Sequence, residues 1–537
     1  TTVPFAVGKG QDLDIGAIGL VPFPRAGSIG GRIVNARGGA PLPGAVDPFT
    51  RVELRLCDGG SCYNTVADQT TDADGRFRFE RDYAGNALLA TTYRIVVSAR
   101  QFQAGESAEF AVAADAAHEM RKAREIGVIP GGEPVIDGVK VMERVRKERD
   151  RFVSSVLDSI ESMPEGTNLR GHARFLDDNT LRVGDHATVE ARSVVIATGS
   201  SPSVLPMFRG LGDRLIVSDD VFYWNDLPSS VIVFGAVIIG LEIGQALARL
   251  GVRVVLLSKQ GLVGPLNHPE MREYARKTFA DEFYIDTDAE TLGVENKDGK
   301  AVVRYTDLGG KERTEAFDYA LAATGRVPNV KDLGLENTSL ELDERSVPVY
   351  DRFTLQCGKS SIFIAGDADN DVPLLHEAAD EGGIAGENAY MFPDVRAGRR
   401  RTPITVVFTE PQMAVVGAGY NELKKKEGLC FVTGRVSFEN QGRSRVMLSN
   451  KGLLNVYAEY GTGLFLGAEM FGPRAEHLGH LLAWAHQMSM TIPEMLEMPF
   501  YHPVIEEGLR TALRDAGDKL HKGRALAEGS MECGPGV

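Results

Sequence analysis

Three groups of residues in this sequence have the types and spacing for chemistry. His502 and Glu507 stand five residues apart in MPFYHPVIEEGLR. A carboxylate bonded to one imidazole nitrogen fixes the tautomer and raises the basicity of the ring, so the other nitrogen can pass a proton. The same two residues also read as a helix-start histidine with a surface glutamate. Cys57 and Cys62, in CDGGSC, are the only close pair among the cysteines at 57, 62, 357, 430 and 533. DGG between two β-like runs is turn chemistry, so a cross-hairpin disulfide or two free thiols is expected there. Cys357, Cys430 and Cys533 read as single. So few cysteines point to a reducing compartment, with at most one local disulfide.

The third group is the glycine turn in SVIVFGAVIIGLEIGQALARLGVRVVLLSK, from Ser230 to Lys259. A G-x-G-x-x-G fingerprint needs glycine at 235, 237 and 240. Gly235 and Gly240 are present, but 237 is Val. The missing glycine is the one that lets backbone approach a pyrophosphate, and a β-branched side chain there should crowd it. A purely structural turn is the alternative.

The elements that position this turn are legible. Val231 to Phe234 is an apolar run. Leu241, Ile243, Leu247 and Leu250 have helical spacing, and Val252 to Leu257 reads as a second buried strand. Strand, turn, helix and strand make a βαβ unit, whose helix N-terminus favours an anion. The second strand ends in Ser258 and Lys259 without the acid that would meet a ribose 2′-hydroxyl. Lys259 meets a 2′-phosphate or is simply solvated, which leaves NAD against NADP open.

Two strand–turn segments bracket the unit: VVIATGS, holding Thr198 and Gly199, and YALAATGRVPN, holding Gly325. A third, SIFIAGDADN, ends a buried strand at Gly366 and Asp367, an acid placed to hold a ligand hydroxyl. VKVMERVRKERDRFVSSVLDSI places Val139, Met142, Val145, Phe152, Val156 and Ile160 near one stripe, an amphipathic helix with a solvated charged face. Residues 168–200 alternate as short strands.

At 537 residues the chain has room for several domains. A net charge of −15 argues against a general nucleic-acid binder. No apolar run reaches membrane-helix length, no signal peptide is visible, and no metal-ligand cluster is expected. Residues 1–115 differ from the rest, with short β runs (SIGGRIVN, TRVELRLC, GRFRFE, TYRIVVSA) between turn residues. Residues 23–112, through GSIGGRIVNARGGAPLPGAV and TTDADGRFRFE, resemble the carboxypeptidase regulatory-like β-sandwich domains.

From about residue 120 to 516 the chain resembles the FAD-dependent pyridine-nucleotide–disulfide oxidoreductases of the dihydrolipoamide dehydrogenase type. Besides the βαβ unit, the resemblance is carried by ATGSSP, AATGRVPN, AGDADNDVPLLHEAADEGGIAGENA, VVFTEPQMAVVG and MPFYHPVIEEGLR. It implies an α/β, Rossmann-like FAD/NAD(P) two-dinucleotide-domain fold with a C-terminal α+β dimerisation domain, beside the N-terminal β-sandwich. Boundaries follow: 1–115 sandwich, 116–207 remnant of the FAD domain with a long helix and β-meander, 208–331 NAD(P) domain, 332–400 FAD-domain return, 401–516 interface domain and 517–537 loose tail.

By the same resemblance Asp367 would hold the ribityl chain of FAD, with His376, Glu377 and Ala378 beside the flavin. Glu242 would face the nicotinamide, and His502 with Glu507 would shuttle a thiol proton. The implied cofactors are FAD and NAD(P). The implied partners are a small-molecule or lipoyl-domain dithiol and a second copy of the chain, with no nucleic acid and no membrane. A cytoplasmic location is expected, although the sandwich would suit an exported protein.

The family's own first glycine turn and its helical cysteine pair are not found before residue 120. FAD is therefore expected to bind loosely and lipoamide turnover to be small. The alternative is an inactive binding or structural fusion protein that keeps the scaffold.

Overall fold

The computed structural model describes the backbone of residues 29–32, 51–58, 61–70, 76–79 and 103–110, and residues 111–164, 166–521 and 531–536 in full. The chain divides into two units, one of residues 1–95 with 162–168 and one of residues 96–161 with 169–537. In the first, Ile29–Arg32 pairs antiparallel with Arg76–Phe79, and Arg51–Asp58 with Ser61–Thr70. Cys57 stands opposite Cys62 in the second pair, as a hairpin at CDGGSC requires. The TYRIVVSA run lies outside the described residues.

The first described element of the second unit is a helix, Gln103–Lys122, which starts inside the span read as β. Alanine and glutamate dominate AEFAVAADAAHE, and both are good helix formers. Ala114 and Ala117 are buried, and small residues let this helix pack closely on Ile238–Arg249. The amphipathic stretch forms Gly138–Glu161 as expected, but only Met142 and Val145 of its stripe are buried. Its C-terminal half, with Phe152 and Val156, faces a cavity instead.

The βαβ unit lies at the centre of a parallel five-stranded sheet in the order Leu215–Ile216, Tyr319–Ala322, Ser230–Phe234, Arg253–Leu257, Tyr284–Asp286. Ser230–Phe234 is buried along its whole length, because helices cover one face and an antiparallel sheet the other. Leu241, Ile243, Leu247 and Leu250 pack on the helix side. Leu247 is fully buried, and cutting it to Ala would cost about 2–5 kcal/mol.

Beside this sheet, Val194–Ile196 runs parallel to Ile362–Ile364, and Ser200–Pro202 pairs antiparallel with Arg326–Pro328. These two pairings bring the ATGSS, ATGR and AGDAD turns together. Ala173–Phe175, Thr180–Val183 and Ala187–Glu190 form the short-strand meander.

The C-terminal region is a six-stranded antiparallel sheet ending in Cys430–Ser437 and Met531–Cys533. Ala475–Gln487 and Glu506–His521 contribute to its core. A fully buried carboxylate ties this region to the segment leading into the helix Pro269–Ala280: Glu469 accepts the backbone N–H groups of Asn267, His268 and Tyr420 at 2.7–2.9 Å.

Two expectations are corrected here. The tail from 517 is not loose throughout, since the helix runs on to His521 and Met531–Cys533 adds an edge strand. Cys430 and Cys533 are not single but form a disulfide across 103 residues, between directly paired strand positions. A pairing that depends on strand register cannot be read from sequence spacing. Cys357 is buried and free. No helix among the described residues is long and apolar enough to cross a membrane.

Candidate functional site

A cavity of about 860 Å³ runs from the glycine turn at one end to Asp367 at the other. At the glycine end the local geometry follows from two residues. Gly235 has φ 114°, in the left-handed region, and a Cβ there would collide with the Ala323 carbonyl oxygen. A Cβ on Gly240 would collide with the carbonyl oxygen of Gly235, so the helix can start this close to the strand only with glycine. Val237 is the residue preceding the helix, with ordinary extended φ of −92°. It needs no glycine for its backbone, and its half-exposed side chain projects into the cavity wall.

Glu242, one turn into this helix, also lines the cavity, and its Oε1 accepts the backbone N–H of Phe408 at 2.8 Å. Lys259 and Gln260, at the end of Arg253–Leu257, line the same wall.

At the other end Asp367 is almost fully buried. Its Oδ2 accepts the Ser200 hydroxyl at 2.6 Å and lies 3.6 Å from Arg326 Nε. Arg326 in turn donates to Ser200 Oγ at 2.6 Å and to the Ser200 carbonyl at 2.8 Å. Three buried polar atoms here have no hydrogen-bond partner among the described residues: Asp367 Oδ1, Arg326 Nη1 and Thr198 Oγ1. Buried polar groups are rarely left unpaired without a ligand or water to meet them. The donors and acceptors present therefore fit a hydroxylated ligand chain.

The turn that carries Asp367 is held from behind. Gly366, at φ 67°, donates its N–H to Glu381 Oε2 at 2.8 Å, and Ala378 packs where a Cβ would stand. Arg400 binds the other oxygen of Glu381 at 2.8 Å and Glu377 at 3.2 Å. Burial, and secondarily the charge of Glu381, push the neighbouring Asp369 carboxyl up to about 7. Burial also raises Glu377, against the opposing charge of Arg400.

The cavity thus gathers Gly235, Glu242, Lys259, Gly325 and Asp367 of the sequence-nominated residues. Gly240, Thr198, Gly199, Gly366 and Ala378 build the turns around it without lining it. The Asn329 side chain and backbone N–H lock the Thr198–Gly199 turn by bonding the carbonyls of both residues. His376 is half exposed, 3.9 Å from Glu377, and is not among the lining residues.

His502 and Glu507 form the expected pair, with Nδ1 2.9 Å from Oε1, but the histidine is exposed and outside the cavity wall. The hydrogen bond from His502 holds the Glu507 carboxyl below its ordinary value. Sequence reasoning missed Ser200, Arg326 and Phe408. The signal for the first two was present in ATGSS and ATGR, where a polar residue follows each turn glycine.

A family described as pyridine nucleotide-disulphide oxidoreductase matches residues 103–382, and its dimerisation domain matches residues 403–513. A dihydrolipoyl dehydrogenase of Haloferax volcanii is 30% identical over 423 residues, covering 76% of this chain and 86% of the relative. Another, from Geobacillus stearothermophilus, is 29% identical over 405 residues, covering 74% and 84%. Among solved structures, LpdA from Mycobacterium tuberculosis superposes with a TM-score of 0.65 at 24% identity, covering 77% of this chain and 89% of that one. The flavoprotein disulfide reductase RclA from Escherichia coli gives 0.65 at 19%, covering 78% and 89%. The last two show the shared fold. A family match over more than half the chain, continued by the dimerisation domain, makes this protein a member of the FAD- and NAD(P)-dependent pyridine nucleotide-disulphide oxidoreductases, similar to the dihydrolipoyl dehydrogenases.

Proposed function

We propose that the chain is a flavoprotein oxidoreductase that passes electrons between a pyridine nucleotide, FAD and a dithiol–disulfide couple, working as a homodimer. The observation that carries this reading is the single cavity walled at one end by the Gly235 turn and Glu242, and at the other by Asp367, Ser200 and Arg326. Two ligands must meet in such a space for a hydride to pass. When bound, FAD supplies the two-electron chemistry between nicotinamide and disulfide.

The residues of the chain do the rest. Asp367 Oδ1 accepts a ligand hydroxyl, with Ser200 and Arg326 fixing the carboxylate. The start of Ile238–Arg249 presents free N–H groups to a pyrophosphate. Glu242, held by Phe408 N–H, faces the space between the two ends. Glu507 keeps the proton of His502 on Nδ1, which leaves Nε2 free to take a proton from a thiol.

The dimerisation-domain match and the outer face of Ala475–Gln487 support the homodimer. Leu478 and Leu482 are buried against the sheet, whereas Leu481, Trp484 and the following Met488 are 43%, 66% and 72% exposed. That outward apolar stripe is expected to lie in the subunit contact.

A second reading, an inactive protein that retains the scaffold, is favoured by one observation: the described residues lining the cavity include no cysteine. One experiment separates the two. The purified chain is titrated with FAD, and NAD(P)H oxidation is followed with lipoamide and with a dye. The first reading expects flavin uptake with NAD(P)H-driven reduction of the dye, and the lipoamide rate measures how much of the dithiol–disulfide half-reaction runs without a cysteine in the described cavity wall. Failure to take up flavin would sink the first reading.

A further inference from the structure

The end of the second βαβ strand carries an inference that rests on the pyridine-nucleotide reading of this cavity and goes one step beyond it. We infer that the chain selects a 2′-phosphorylated pyridine nucleotide, with Lys259 as the selecting residue.

In a βαβ dinucleotide unit the adenosine ribose lies against the C-terminal end of the second strand, and an acid there bonds the free 2′-hydroxyl. Here the strand Arg253–Leu257 runs directly beside Ser230–Phe234 in register, Val255 opposite Ile232 and Leu257 opposite Phe234. Its end is therefore fixed beside the Gly235 turn, where Gly235 N–H bonds the Leu257 carbonyl at 2.8 Å. The next residues, Ser258, Lys259 and Gln260, line the cavity together with Val237 and Ile238, and none is an acid.

Lys259 is exposed and its ammonium has no carboxylate partner among the described residues. Two carboxylates at the end of the adjacent strand Tyr284–Asp286 bind backbone N–H groups. Asp288 turns one oxygen to the Gly261 N–H at 3.0 Å, and buried Asp286 accepts the N–H of Asp288 at 3.0 Å. Beneath the same loop, Arg272 aims Nη1 at the Gly261 carbonyl at 3.4 Å, and its buried Nε has no hydrogen-bond partner among the described residues. The wall thus offers a cation with no carboxylate partner among the described residues, at the strand end where an acid would bond a 2′-hydroxyl.

A 2′-phosphate carries about −1.5 to −2 charge, and a charge-assisted bond to it is roughly twice as strong as a neutral one. A 2′-hydroxyl gains nothing comparable from an ammonium. The structure therefore favours NADP(H) over NAD(H).

The test is binding, followed by titration calorimetry on the full chain at fixed salt, with NADP+, NAD+, adenosine 2′,5′-bisphosphate and AMP. NADP+ is expected to bind at least about tenfold tighter than NAD+, as a single charged contact of this strength allows. The bisphosphate should show the same preference over AMP. Lys259→Ala should erase the ratio, Lys259→Arg should retain it, and Lys259→Glu should invert it. Equal affinities in the wild type, or an unchanged ratio in Lys259→Ala, would overturn the inference while leaving the nucleotide site standing. Binding of none of the four would overturn the nucleotide reading and this inference together.

Discussion

Ser200 and Asp367 are 167 residues apart in sequence, yet the Ser200 hydroxyl donates to Asp367 Oδ2 at 2.6 Å, and the buried Oδ1 is left with no hydrogen-bond partner among the described residues. This contact joins the ATGSS and AGDAD turns into one edge of the cavity. Asp367→Ala is expected to weaken FAD retention by about 1.5–3 kcal/mol, the value of a hydrogen bond to a charged group. Ser200→Ala should have a smaller effect, because Arg326 still braces the carboxylate. Equilibrium titration with FAD fluorescence gives both numbers, and an unaffected Asp367→Ala variant would remove this residue from the flavin site.

Val237 occupies the cavity wall at the start of Ile238–Arg249 without any backbone need for glycine. Its cost is then purely steric. Val237→Gly is expected to tighten pyridine-nucleotide binding by on the order of 1–2 kcal/mol, the scale of local strain relief. Unchanged affinity in a nucleotide titration would show that the side chain stands clear of the pyrophosphate.

Asp369 gives the fold a pH dependence of definite sign. Its folded value of about 7 stands above the ordinary 3.8, so between those limits the folded chain holds a proton that the unfolded chain has released. The stability this provides is full below about pH 4 and is lost as pH rises toward 7. Asp369→Asn should therefore raise the thermal midpoint at pH 8 and converge with wild type near pH 4. About 1.4 kcal/mol per pK unit sets a ceiling near 4 kcal/mol. Parallel melting curves at both ends of this range would reject the assignment.

Reduction should release the C-terminal strand. Cys430 and Cys533 are half-buried and bonded to each other, whereas Cys357 is fully buried with its thiol pushed up to about 12 by burial. Thiolate character and access control labelling. With Cys57 and Cys62 replaced by Ser, native protein should take up no thiol label when oxidised and two when reduced. Amides along Cys430–Ser437 should exchange faster after reduction. Two labels without reductant would mean that the disulfide does not form.

The outward stripe on Ala475–Gln487 predicts the effect of a charge at its centre. Trp484→Glu should weaken self-association by at least about 2 kcal/mol, as expected for a buried aromatic anchor. Light scattering at micromolar concentration should show wild type as a dimer and the variant shifted toward monomer. A wild-type monomer would exclude the proposed assembly.

The sequence alone determined the parts of this protein whose information is local. Apolar runs, turn glycines and helical spacing specify the βαβ unit, because each short segment must bury one face or one whole strand. The hairpin at CDGGSC and the helix Gly138–Glu161 were legible for the same reason. Motif combinations then named the family from residue types in order.

Only the tertiary structure decided what depends on contacts between distant segments. It placed Ser200 and Arg326 on Asp367 through the pairing of Ser200–Pro202 with Arg326–Pro328. It joined Cys430 to Cys533 through strand register. It also turned half of an amphipathic helix toward a cavity, and gathered Asp371, Glu377 and Glu381 around Arg400. Register and burial are properties of the whole packed chain, and no local spacing encodes which side chains a long-range strand pairing will bring within hydrogen-bond reach.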